Sequence, residues 1–188
     1  MRLKAKVLVR KKLALIISLF FGLRANAIKI DVMMGWFNVA AESTTRNEVS
    51  NFGLYRVNYM LPLLPKLDLS VGYSLMMSEV LGGDLGFGLD GALLYFPLST
   101  SGKIQASSSY STVVIDSIWR PYLGIGFSQR QFQSVQSSYA GFSVSVGLER
   151  SIARNFDLKG EIRYVDLQGA RQSTATETSA VGGLIFLF

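Results

Sequence analysis

Apolar and polar residues alternate with a period of two in segment after segment of this 188-residue chain, and no other feature limits its fold so sharply. Successive side chains of a β-strand point to opposite faces, so each such segment carries one apolar face and one polar face. The stretch from Phe156 to Asp166 is the clearest. Phe156, Leu158, Gly160, Ile162 and Tyr164 share one face, and Asp157, Lys159, Glu161 and Arg163 form a ladder of alternating charge on the other. From Tyr139 to Glu149, Phe142, Val144, Val146 and Leu148 oppose Gly141, Ser143, Ser145, Gly147 and Glu149. Leu67 to Met77 sets Leu69, Val71, Tyr73 and Leu75 against Asp68, Ser70, Gly72 and Ser74, and Leu85 to Tyr95 sets Phe87, Leu89 and Leu93 against Gly86, Gly88, Asp90 and Ala92. Leu123, Ile125 and Phe127 oppose Gly124, Gly126 and Ser128. At the start, Ile28, Ile30, Val32, Met34 and Trp36 oppose Lys29, Asp31 and Gly35. Asn51 to Leu61 alternates less cleanly, with Arg56 and Asn58 on its polar face, and Ser179 to Phe188 ends with Leu184, Phe186 and Phe188 in one register.

These are eight strand segments. Shared over residues 28–188, they leave about 20 residues for each strand and its connection, which suits antiparallel hairpins with strands of about 9–11 residues. Parallel crossovers need a dozen or more residues each and do not fit. One connection is long, the Ser-rich stretch from Ser99 to Ser117. It is either an ordered extension of two long strands or an irregular turn.

The formal charge of +6 would ordinarily point to nucleic acid or an anionic surface. Its location removes that implication. Residues 1–27 hold seven basic residues and no acid, and the remainder holds twelve basic residues against thirteen acidic, a net charge of −1. Nucleic acid is therefore not an expected partner. The leader has a positive n-region from Met1 to Lys12, an apolar run from Leu13 to Leu23, and the A-x-A cleavage site Ala25-Asn26-Ala27. That run falls short of the roughly 20 residues a spanning helix needs. Residues 1–27 are expected to be a secretory signal peptide, cleaved so that the mature chain starts at Ile28.

Two barrels fit the alternation. A soluble barrel turns its apolar face inward around a ligand, and a membrane barrel turns it outward to lipid. A water-exposed exterior is normally rich in Lys and Glu, whereas the polar face here is mainly Gly and Ser with a few opposed charges. Small residues suit the crowded interior of an eight-stranded barrel. Lys29, Asp31, Arg56, Asp90, Glu149, Asp157, Lys159, Glu161 and Arg163 would neutralise one another there, as buried charges must. Facing lipid near the midplane, Lys159 and Arg163 would each cost about 2–4 kcal/mol. Trp36, Tyr55, Tyr59, Tyr73, Tyr95, Trp119, Tyr122 and Tyr164 lie mostly toward segment ends, where interfacial girdles are found. The expected fold is all-β: an eight-stranded antiparallel up-and-down transmembrane β-barrel over residues 28–188.

With its leader, its eight segments, the WRPYLGIGFS stretch from Trp119 to Ser128 and the terminal LIFLF from Leu184 to Phe188, the chain resembles the small bacterial outer-membrane barrels of the OmpA/OmpX type. The resemblance implies residence in the bacterial outer membrane, in contact with its lipid and lipopolysaccharide. It also implies delivery by periplasmic chaperones to the barrel assembly machinery. In that family a terminal Phe with apolar residues at alternate positions is the assembly signal, which maps onto Leu184, Phe186 and Phe188.

Other chemistry finds little support. Gly86 to Gly91 matches the dinucleotide pattern G-x-G-x-x-G, but Ala92 to Phe96 continues the alternation and leaves no room for the helix that pattern requires. The enzymes of the resembling barrels rely on a histidine, and this chain has none. It has no cysteine either, so disulfides and thiolate metal sites are excluded, and carboxylates interleaved with Lys and Arg make poor metal ligands. No catalytic residue, cofactor or metal is expected. With a periplasmic N-terminus, three surface connections are short (Glu42 to Glu48, Ser78 to Asp84, Ser134 to Ser138) and a fourth, Gln168 to Glu177, is longer. The expected protein is a non-enzymatic barrel with a charge-plugged lumen and a structural or surface-interacting role. The alternatives are a narrow conduit or binding barrel for small or apolar molecules, and a soluble periplasmic ligand binder.

Overall fold

The computed structural model describes residues 28–42, 47–64, 66–78, 84–98, 104–108, 111–115, 119–133, 137–153, 155–169 and 173–188. The leader, with Ala25 and Ala27, lies outside them. The described residues form ten strands: β1 (Lys29–Glu42), β2 (Asn47–Leu64), β3 (Leu67–Ser78), β4 (Asp84–Tyr95), β5 (Ile104–Ser108), β6 (Ser111–Ile115), β7 (Trp119–Phe132), β8 (Ser137–Ala153), β9 (Phe156–Gly169) and β10 (Thr174–Leu187). Eight of them close a barrel in the order β1-β10-β9-β8-β7-β4-β3-β2, each paired antiparallel to the next barrel strand along the chain (β4 to β7 across the β5–β6 connection), with β1 closing on β10. Ile28 and Phe188 meet at one end, where the Phe188 amide donates to the Ile28 carbonyl. We call this the terminal end and its opposite the far end.

The alternation is carried out in three dimensions as the sequence implies. On β9, Asp157, Lys159, Glu161, Arg163, Val165 and Leu167 are buried inside, while Leu158, Ile162 and Tyr164 face outward. The barrel strands run to 12–18 residues, longer than the apolar segments. Ladder hydrogen bonds do not need an apolar side chain, so pairing continues past the lipid-facing belt. For the same reason Gln168 to Glu177 is not a long loop: β9 and β10 stay paired out to Gln168 and Thr174.

Two departures have local causes. β2 carries a bulge: Gly35 pairs with Leu54 and Trp36 with Phe52, leaving Gly53 as the extra residue. One inserted residue reverses the parity beyond it. Phe52 is therefore exposed and Leu54 buried, which is why Asn51 to Leu61 alternates poorly. A Cβ on Gly53 would lie 2.5 Å from the Met77 carbonyl oxygen, so the bulge needs a glycine at that place. The Ser-rich connection forms a separate two-stranded hairpin, β5–β6, at the terminal end, and neither strand joins the barrel.

Candidate functional site

The inward faces of the strands converge on a lumen filled by charge. All nine residues of the expected network, Lys29, Asp31, Arg56, Asp90, Glu149, Asp157, Lys159, Glu161 and Arg163, are buried within the barrel. Its centre is a neutral cluster of three guanidiniums and three carboxylates: Arg56, Arg130 and Arg163 with Asp90, Glu161 and Glu177. Arg56 Nη1 reaches Glu161 Oε1 at 2.7 Å, and Arg163 Nη2 lies 2.9 Å from the same oxygen. Arg130 forks onto Glu177, with Nε to Oε2 at 2.6 Å and Nη2 to Oε1 at 3.1 Å, and its Nη1 donates to Asp90 Oδ1 at 2.9 Å. Arg163 Nη1 is 3.1 Å from that Asp90 oxygen, and the Ser128 hydroxyl donates to it at 2.6 Å. Tyr122 donates its hydroxyl to Glu161 Oε2 at 2.7 Å.

The pairings Arg56–Glu161, Arg130–Glu177 and Arg163–Asp90 each join strands three places apart in a ring of eight. They span the lumen rather than follow the wall. Planar guanidiniums suit this, because each presents several donors in a fixed fork that two carboxylates can share. Glycine makes the room. A Cβ on Gly88 would collide with the Arg130 guanidinium, and one on Gly147 with the Tyr122 ring.

Toward the terminal end the pairs become separate. Lys159 Nζ meets Asp31 Oδ2 at 2.6 Å, and Asn58 holds the other Asp31 oxygen through its side-chain and backbone amides. Lys29 pairs with Asp68 at 3.1 Å and Arg120 with Glu149 at 3.3 Å. Asp157 accepts a hydrogen bond from the Ser151 hydroxyl, and no cation among the described residues pairs with it. Apolar side chains are interleaved here: Met60, Ala92, Leu94, Phe96, Tyr122 and Ile185 pack together, with the Arg120 guanidinium carbon 4.4 Å from the Phe96 ring centre. Toward the far end, Met33, Phe37, Val39, Leu54, Met76 and Val181 form one apolar cluster, and Val165, Leu167 and Ala175 another.

Four charged members of the lumen lie outside the nine expected from the sequence: Arg130, Glu177, Asp68 and Arg120. Arg130 and Glu177 lie on the correct parity but beyond the ends assigned to their segments. Asp68 lies on a recognised polar face without having been included. Arg120 shares its parity with Tyr122. Following each polar face to the end of the hydrogen-bonded strand would have found all four. Tyr122 needs a correction. It is buried and bound to Glu161 instead of belonging to the outward girdle, since it shares its face with Gly124, whereas Trp36, Tyr55, Tyr59, Tyr73, Tyr95, Trp119 and Tyr164 are exposed outside. Leu184 and Phe188 face outward, and Phe186 meets Phe156 edge-on at 5.4 Å between ring centres.

The exterior is the inverse of a soluble surface, with exposed Val32, Val57, Val71, Leu89, Ile125, Val144, Ile162 and Leu184 placing an apolar side chain on each barrel strand. No protein-family model and no curated protein matches the sequence. Among solved structures, Neisserial surface protein A superposes with a TM-score of 0.55 at 14% identity, over 86% of this chain and 97% of its own. The fold is that of a small outer-membrane β-barrel. The N-terminal barrel domain of Pseudomonas aeruginosa OprF (TM-score 0.46, 15% identity, 85% of this chain and 97% of that one) is also similar. So is the outer-membrane protease OmpT of Escherichia coli (0.46, 7% identity, 88% and 98%).

Proposed function

We propose that the protein is a non-enzymatic resident of the bacterial outer membrane whose lumen is plugged, with a structural or surface-interacting role. The observation that carries this is the Arg56–Arg130–Arg163–Asp90–Glu161–Glu177 cluster, which bridges the lumen at mid-height with each charge opposed. Arginine forks locked onto carboxylates that also hold Ser128 and Tyr122 make a poor ion path, because a permeating ion would have to replace those bonds. Apolar clusters on both sides of the network reinforce the seal. The chain has no histidine, so the hydroxyls that touch the network, Ser128 and Tyr122, lack the usual general base of a hydrolase.

In this reading the terminal end faces the periplasm, and the apolar belt contacts lipid and, in the outer leaflet, lipopolysaccharide. Leu184, Phe186 and Phe188 serve as the assembly signal for the barrel assembly machinery after delivery by periplasmic chaperones. Planar-bilayer recording of the purified wild-type protein tests the plug. The expected trace is silent, with leak appearing only when cluster members are neutralised. Steady, sizeable wild-type conductance would make the barrel a conduit instead.

A further inference from the structure

The outward wall carries almost no charge, which makes Arg150 conspicuous. Among the outward strand side chains that the structure describes, Arg150 and Asp166 alone are ionised, Arg150 toward the terminal end and Asp166 toward the far end. Arg150 is exposed, and its guanidinium carbon stands 4.8 Å from the centre of the Trp119 ring on the neighbouring strand. Its other neighbours in register and along the strand are Leu148, Ile152 and Leu158, all exposed and apolar. No carboxylate pairs with it among the described residues. An arginine set beside tryptophan at the edge of a lipid-facing belt sits at headgroup depth. Attraction to the indole face fixes the guanidinium in place while its N–H groups stay available along the interface. The anion chemically suited to that fork is a phosphate diester, which arginine grips with two parallel hydrogen bonds.

We propose that Arg150 and Trp119 form a binding site for the phosphate of a glycerophospholipid in the periplasmic leaflet. This rests on the membrane reading and orientation given above. Charge complementarity selects the headgroup. Water-exposed arginine alone holds free phosphate weakly, and the apolar ring of Leu148, Ile152, Leu158 and Trp119 supplies the rest of the contact only to a molecule with acyl chains. One row deeper in the wall, Leu148 pairs with Gly160 and Gly160 with Gly182. A Cβ on Gly160 would meet nothing within 4 Å, and one on Gly182 only the Lys159 carbonyl oxygen at 3.7 Å. The wall is thus lower by a side chain beside the headgroup site, where one acyl chain can lie.

Protein purified in detergent, with its barrel verified by heat-modifiable gel migration, is titrated with phosphatidylglycerol, with diacylglycerol of the same chains and with inorganic phosphate. Bound lipid is counted by native mass spectrometry. The wild type should retain phosphatidylglycerol, with Arg150→Gln and Trp119→Leu each at least about tenfold weaker and diacylglycerol not retained. Equal retention by wild type and Arg150→Gln overturns the site, and so does displacement of the lipid by inorganic phosphate, which would mark a free-anion site. Gly160→Leu should weaken retention with every charge intact, and unchanged retention would remove the acyl-chain placement. A wild-type protein that never shows heat-modifiable migration would refute the membrane-barrel reading itself, separately from the lipid site.

Discussion

Arg130 and Glu161 show what a single residue is asked to do in this lumen. Each is buried, and each binds two partners of opposite charge: Arg130 joins Glu177 to Asp90, and Glu161 joins Arg56 to Arg163. Taking two charges out of water is costly, so such a pair contributes little net stability over an apolar replacement of both. Removing one partner is another matter, because the remaining charge keeps its desolvation cost and loses its compensation. Glu161→Gln and Arg163→Met should each cost about 3–5 kcal/mol, read as a lower temperature for loss of heat-modifiable migration. Ile162→Val, one position away on the lipid face, should shift that temperature hardly at all, since an exposed methyl contacts lipid in either form. If Arg163→Met melts like the wild type, the cluster is hydrated and the plug has failed.

At the scale of the strand, β10 closes the barrel against β1 from Lys29–Leu187 to Glu42–Thr174 and brings Phe188 within hydrogen-bonding reach of Ile28. Its last residues therefore act twice: they seal the seam, and Leu184 and Phe188 present apolar side chains at the lipid boundary. Deleting Phe188 or replacing it with a charged residue is expected to lower the outer-membrane level of the protein several-fold while translation and export continue. Quantitative immunoblotting of separated envelope fractions reads this, and normal levels of the truncated chain would remove the assembly role. The bulge on β2 teaches a related lesson. One glycine, Gly53, turns Phe52 out to lipid and Leu54 in to the apolar cluster, so one strand serves both environments without breaking its ladder.

Considered as a whole molecule, the barrel and the β5–β6 hairpin are separate sheets. A lone two-stranded hairpin is marginal in water, and this one exchanges no ladder hydrogen bonds with the barrel strands. Replacing residues 99–117 with a short turn should leave the melting of the barrel within a few degrees of the wild type, followed by far-ultraviolet circular dichroism in detergent. A large drop would mean that the hairpin braces the wall.

Period-two patterning determined the eight barrel strands, the short spacing between them their antiparallel order, and the small-residue polar face which side turns outward and so the nine inward charges. The reason is geometric. A strand has only two faces, so knowing which residues share one face and which face meets lipid assigns every side chain on that strand. What lay beyond the pattern was anything that depends on which strands lie across the ring. Arg130 and Glu177 sit 47 residues apart and join only because β7 and β10 are brought within reach through the lumen. Tyr122 is inward by the parity of its strand, but only closure brings Glu161, two strands away, to accept its hydroxyl. Two further features lay beyond the pattern for local reasons: the β2 bulge, where the Met77 carbonyl leaves room only for Gly53, and the pairing of β5 with β6. Faces follow from local chemistry, whereas partners across the lumen follow from closure, and only the closed barrel fixes which charge meets which.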